Sequence, residues 1–224
     1  MKLNKLWNGL KQIANGDYVL EGDLICEEDL TIELDDRLVV SGKIQVKKSI
    51  KAGDGIKAGW GIEAGDGIKA GCGIEAGDGI KAGCGIEAGD GIEAGWGIEA
   101  GWGIEAGWGI KAGWGIKAGC GIEAGDGIKA GWGIEAGDGI KAGDGIEAGW
   151  GIEAKTFIHS EKRIFAGVSV YNTSENCKKT IKCSELRKGE ICYGDLVIED
   201  QTVEMTIAEI EAKLGIKNLK IKED

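Results

Sequence analysis

Isoleucine stands at every sixth position from Ile50 to Ile152, with an alanine two residues behind each one. The phrase Ile-(Lys/Glu)-Ala-Gly-(Asp/Trp/Cys)-Gly repeats almost without error to Ala154. A fixed short period is the mark of a stacked solenoid, in which each unit buries its apolar face only by joining the next copy. Side chains alternate along extended chain, so Ile50 and Ala52 point one way and Lys51 the other. The apolar side must turn inward. The Gly-x-Gly that follows, as at Gly53-Asp54-Gly55, is expected to turn the corner with φ > 0. Three sides make a triangular coil of about 18 residues, and coils stacked about 4.8 Å apart pair each strand above and below. Six such coils fit the perfect repeat.

Composition supports an ordered chain. Among 224 residues there are 42 glycines, yet 42% of residues are hydrophobic and no proline is present to interrupt a ladder. The register extends upstream through Leu20, Cys26, Ile32, Leu38 and Ile44, with Leu34, Val40 and Val46 in the alanine slot. The solenoid is expected to begin near Tyr18 and to hold seven to eight coils, a rod about 35 Å long. Leu3, Leu6, Trp7, Leu10 and Ile13 lie at helical spacing and predict a helix that covers the first coil. Alternating segments near 156–159, 163–171, 180–183 and 190–198 predict strands. Beyond them Thr206-Ile207-Ala208-Glu209 reads as a capping box within a β-α-β tail. The expected fold is all-β: a capping helix over 1–17, a single-chain parallel β-helix over 18–154, a β-rich region over 155–200 and the tail over 201–224.

The net charge is −11, and residues 50–154 contribute −9 of it, from 8 Lys against 10 Glu and 7 Asp. An acidic rod disfavours direct binding to nucleic-acid phosphates or to an anionic membrane and suits a basic protein partner. No run approaches the length of a membrane span, and lysines interrupt the N-terminal leucines where a secretory signal would be apolar. The expected location is cytoplasmic.

Two positions of the repeat vary. The outward Lys/Glu alternates in sign at eleven of seventeen successive hexads, a pattern read as lateral pairing across faces. The residue between the glycines is Asp, Trp or Cys, a mixture that no single buried layer accepts, so it is expected to face outward. Trp96, Trp102, Trp108 and Trp114 fill four successive hexads. With three hexads per coil, Trp96 and Trp114 share a corner while Trp102 and Trp108 take the other two, giving a belt around the rod. These tryptophans, with Asp66, Asp78, Asp90 and Asp126, are the candidate partner-binding residues, against the alternative that indoles only shield the glycine corners.

No cofactor or metal is expected. Calcium-binding solenoids repeat every nine residues with paired glycines, not every six. Cys177, Cys183 and Cys192 with His159 match no compact zinc spacing, and seven cysteines without Cys-x-x-Cys read as reduced thiols. A Gly-x-Gly followed by a strand lacks the helix N-terminus that a phosphate cradle needs. His159 is the only histidine, so a Ser-His-Asp or Cys-His arrangement would have to use it, and a lone histidine on a strand is far more often structural. An enzyme is not expected.

The phrase Gly-Asp-Gly-Ile-Lys-Ala-Gly-Trp-Gly-Ile-Glu-Ala-Gly resembles hexapeptide-repeat proteins of Firmicutes and their phages and, more loosely, the bactofilin family of polymer-forming β-helices. The second resemblance implies a triangular β-helix that polymerises end to end. The tail from Val203 to Gly215 is similar to C-terminal segments of phage-borne proteins, which implies a mobile-element origin. The hexapeptide acyltransferases share the period but want a small residue two places before the aliphatic one, where this chain holds Asp, Trp or Cys. Two functions follow: an acidic binding module that inhibits a host protein, in one form by mimicking nucleic acid, or a self-assembling scaffold. Either leaves room for a homo-oligomer.

Overall fold

The computed structural model describes residues 1–7, 9–167 and 179–199. These residues form an all-β parallel solenoid of about nine turns. Each hexad contributes a three-residue strand, from Ile50–Ala52 to Ile152–Ala154; those up to Ile146–Ala148 pair in parallel with the chain 18 residues on, and Ile152–Ala154 pairs with Thr180–Cys183. Ile68 faces Ile86, Lys69 faces Glu87 and Ala70 faces Ala88. Three ladders result, and their isoleucines and alanines form one continuous core. Ile104 is 1% exposed. Burial of that kind contributes about 1.5–3 kcal/mol per isoleucine side chain.

The corners are held as tightly as the strands. Gly113 N–H donates to Ala94 O at 3.0 Å, Trp114 N–H to Trp96 O at 3.0 Å, and Ile116 N–H to the Gly133 carbonyl of the next coil at 3.0 Å. Stacking, not backbone handedness, is what demands glycine. Among the described residues positive φ occurs only at Gly9, Gly16, Gly22, Gly167, Gly189 and Gly194, none of them in the repeat, which corrects the expected turn geometry. A Cβ on the first glycine of a corner, such as Gly95 or Gly125, would overlap the carbonyl oxygen of the equivalent glycine one coil earlier. At the second glycine the contact would be close but without overlap, 3.3 Å at Gly97 and 3.2 Å at Gly127, so a small shift of the neighbouring carbonyl relieves it.

Two corrections concern the first coils. No helix is found among the described residues: Lys2–Asn4 is a strand on the first ladder, placing Leu3 beside Ile32, and Leu10–Gln12 forms an antiparallel hairpin with Tyr18–Leu20. Ladder edges offer unpaired N–H and C=O groups, and a strand satisfies them where a helix would not. The inward register also shifts. Leu24 aligns with Ile44 and Cys26 with Val46, so Cys26 occupies an alanine slot. The offset from the expected register is two residues, taken up by a longer corner between Leu30–Glu33 and Leu38–Val40. Period-two alternation hides such an insertion, because a shift of two keeps the same side inward. At this corner Arg37 reaches Asp17 at 2.9 Å and Glu75 at 3.1 Å, tying three coils together.

At the other end the ladders continue beyond the perfect repeat. Phe157–Ala166 spans two faces, aligning Ile158 with Ile140 and Ile164 with Ile146. Thr180–Cys183, Glu185–Tyr193 and Asp195–Ile198 add further rungs. The expected capping box at 206–209, the rest of the 201–224 tail, Cys177 and residues 168–171 of an expected strand lie outside the described residues.

Candidate functional site

Folding an 18-residue coil sorts the variable letters into three edges. Corner residues one coil apart are joined backbone to backbone, so each edge can be followed rung by rung. Between the first and second ladders stand Asp54, Cys72, Asp90, Trp108, Asp126 and Asp144. Between the second and third stand Trp60, Asp78, Trp96, Trp114, Trp132 and Trp150. The third edge carries Asp66, Cys84, Trp102, Cys120 and Asp138. One corner is acidic, one is lined with indoles and one is mixed.

The indole corner is the most organised of the three. Trp96 and Trp114 stack with ring centroids 5.6 Å apart, Trp114 and Trp132 at 5.1 Å, and Trp132 and Trp150 at 4.8 Å, with planes within 10° of parallel. Parallel strand pairing imposes this spacing, because equivalent side chains in register repeat at the strand separation. Each stacked pair contributes about 0.5–1.5 kcal/mol beyond burial. Exposure falls along the stack, from 59% at Trp96 to 45% at Trp132. Indoles with both faces covered by neighbours present only their edges, so the ladder is an apolar ridge. It flanks a groove of about 1070 Å³ whose other wall is the outward Lys/Glu row of the third ladder.

That row, like the other two, pairs between coils. Lys117 meets Glu135 at 3.1 Å on this face, while Lys111 meets Glu93 at 2.7 Å and Lys141 meets Glu123 at 2.6 Å on the others. The partners are 18 residues apart, not six: successive hexads lie on different faces, so the expected lateral pairing becomes vertical. Each exposed pair contributes little.

The eight candidate residues do not form one surface. Trp96, Trp114 and Asp78 share the indole corner, whereas Trp108 stands alone between Asp90 and Asp126 on the acidic one. Trp102 lies between Cys84 and Cys120 on the mixed edge, two rungs beyond Asp66. Trp132 and Trp150 complete the ladder and were missed. Reading the corner letters every third hexad finds them; reading successive hexads does not.

The acidic corner borders a second groove, reaching down to Asp36 and Arg37. Asp54 lies 3.6 Å from the Cys72 sulfur, and burial, followed by that carboxylate, pushes the thiol above its ordinary range. Lys162 neutralises Asp144 at 2.6 Å. A hydrogen bond from Arg37 holds the Asp17 carboxyl below the usual carboxylate range. His159 bonds Glu161 at 2.8 Å through Nε2, and Glu161 is itself held low, first by Lys188 and then by this histidine. Among the described residues no group of three or more His, Cys, Asp or Glu side chains is arranged to hold a metal ion. Cys84 and Cys120 are two rungs apart, about 9.6 Å at the strand spacing and beyond disulfide reach.

Compared with protein families, curated proteins and solved structures, the chain matches none.

Proposed function

We propose that this chain is a non-enzymatic binding rod that engages a basic protein partner through its indole corner. The observation that carries the reading is the parallel stack of Trp96, Trp114, Trp132 and Trp150, which keeps large aromatic side chains in the open beside a charged groove. Rigid indoles lose little entropy on contact and tend to dominate interface energies. Charge supports a basic partner but is too sparse to anchor it alone. Asp36, Asp54, Asp90, Asp126 and Asp144 span seven rungs of the acidic corner, about one carboxylate per 6–7 Å, against one phosphate per about 3.4 Å on a nucleic-acid strand. Nucleic-acid mimicry, the inhibitory form of this function, is therefore secondary to aromatic anchoring.

The test uses two 12-residue peptides, one rich in arginine and one in lysine, titrated against the full chain and against the variant W96S/W114S/W132S/W150S. Binding to the natural chain, with loss of about tenfold or more in the variant at unchanged strand circular dichroism, supports the reading. Equal binding by both chains overturns it.

End-to-end assembly is the second reading, and one observation favours it. Among the described residues Asp195–Ile198 pairs only with Thr180–Cys183, and it exposes Leu196, Val197 and Ile198. Light scattering that grows with concentration would select this reading.

A further inference from the structure

The indole corner has one rung without an indole. Trp60 N–H donates to Gly42 O, Asp78 N–H to Trp60 O and Trp96 N–H to Asp78 O, so Trp60 and Trp96 stand on the same edge with Asp78 between them. Two rungs at the strand spacing put these tryptophans about 9.6 Å apart. The aspartate side chain is much shorter than an indole. It floors the rung and leaves the outer part open, and all three residues line the same groove.

A planar group in that opening would lie about 4.8 Å from each ring, inside the roughly 6 Å over which a cation is attracted to an indole face. The surroundings favour a cation. Asp78 enters none of the described ion pairs, and on the flanking strands Glu63, Glu75, Glu93 and Glu99 outnumber Lys57 and Lys81. Both lysines are already engaged, Lys57 with Glu75 at 2.7 Å and Lys81 with Glu99 at 3.7 Å. One side chain is flat, permanently charged and able to fork onto a carboxylate while its faces stack.

We infer that Trp60, Asp78 and Trp96 form a slot for the guanidinium of an arginine on the partner protein. The guanidinium completes the ladder as its missing rung, with Asp78 accepting its N–H donors. This inference rests on the binding-rod reading and adds the residue that the partner supplies.

The test follows the indole N–H resonances of the full chain labelled with 15N-tryptophan. The probes are acetyl-Gly-Arg-Gly-amide and its lysine and citrulline counterparts, citrulline being equally flat but neutral. The arginine peptide is expected to move the Trp60 and Trp96 signals and leave Trp132 in place. Lysine and citrulline peptides should bind at least about fivefold more weakly. D78N should weaken arginine binding about tenfold, and D78W, which fills the rung with the residue its neighbours carry, should abolish it. W60S is the second variant and should also lose the response. No movement of Trp60 and Trp96, equal binding of lysine, or retention in D78W would each overturn the slot. Failure here alongside loss of the 12-residue peptides in the ladder variant would reject the slot alone. Equal peptide binding by that variant would reject the binding rod itself.

Discussion

The indole and acidic corners share one backbone and differ in almost everything else. Trp114 N–H meets Trp96 O at 3.0 Å, and Asp144 N–H meets Asp126 O at 3.1 Å. The same glycines precede and follow both, yet one edge is a stack of rings and the other a row of carboxylates. What holds the coil has therefore been separated from what the coil displays. Isoleucine, alanine and the first glycine do the holding, and the residue between the glycines is free.

The largest expected effect comes from breaking what the corners share. I104D places an unpaired carboxylate in the core beneath both, and should cost about 4 kcal/mol or more, read as loss of cooperative melting. Next are G113A on the indole corner and G125A on the acidic one. Each should cost about 3 kcal/mol because a methyl group meets a carbonyl of the coil below, whichever side chain follows. The control G127A, at a second glycine where the methyl would lie 3.2 Å from the Gly145 carbonyl oxygen, needs only a small shift and should cost about 1 kcal/mol or less. A much milder effect at one of the first glycines would show that the corners are not equivalent.

Smaller effects sharpen the difference. W132S removes two stacked pairs and should cost about 1–3 kcal/mol by thermal melting, whereas W108S, isolated among aspartates, should stay within about 0.5 kcal/mol. Equal losses would mean that the ladder adds no stability. At the foot of the acidic corner, D17N should remove a pH dependence. The folded pKa of Asp17 is depressed, so its stabilisation is present above the ordinary carboxylate value of about 4 and is lost as pH falls through the lower folded value. Denaturant midpoints for the natural chain should thus fall on acidification more steeply than those for D17N. Smallest of all, D126N should shift melting by less than about 0.5 kcal/mol at physiological salt.

The repeat makes most of this fold legible in the sequence. Ile and Ala point inward wherever the hexad is intact, and the 18-residue coil follows from three sides. The N-terminal helix was misread because Leu3, Leu6, Trp7, Leu10 and Ile13 match a helical stripe, but Leu3 is buried on a ladder while Leu6 is 92% exposed. Spacing alone carries no record of the strand edge that competes for this segment. The two-residue slip before Leu38 was invisible for the reason that makes strands tolerant, their period of two. Of the candidate site, Trp96 and Trp114 were read as corner partners from the coil length. Trp132 and Trp150 needed the same rule carried further, and the gap at Asp78 emerges only once the edge is assembled.

The 18-residue coil also sets the terms on which such a chain can lengthen. Duplicating three hexads inserts a whole floor and leaves every edge intact above and below it. Duplicating a single hexad satisfies the core equally well, since each side wants the same isoleucine and alanine, but it advances every later letter by one corner. An insertion of six residues just after Asp78 would carry Trp96, Trp114, Trp132 and Trp150 together onto the mixed edge. The stack would survive intact and face another direction, with Trp60 and Asp78 left behind.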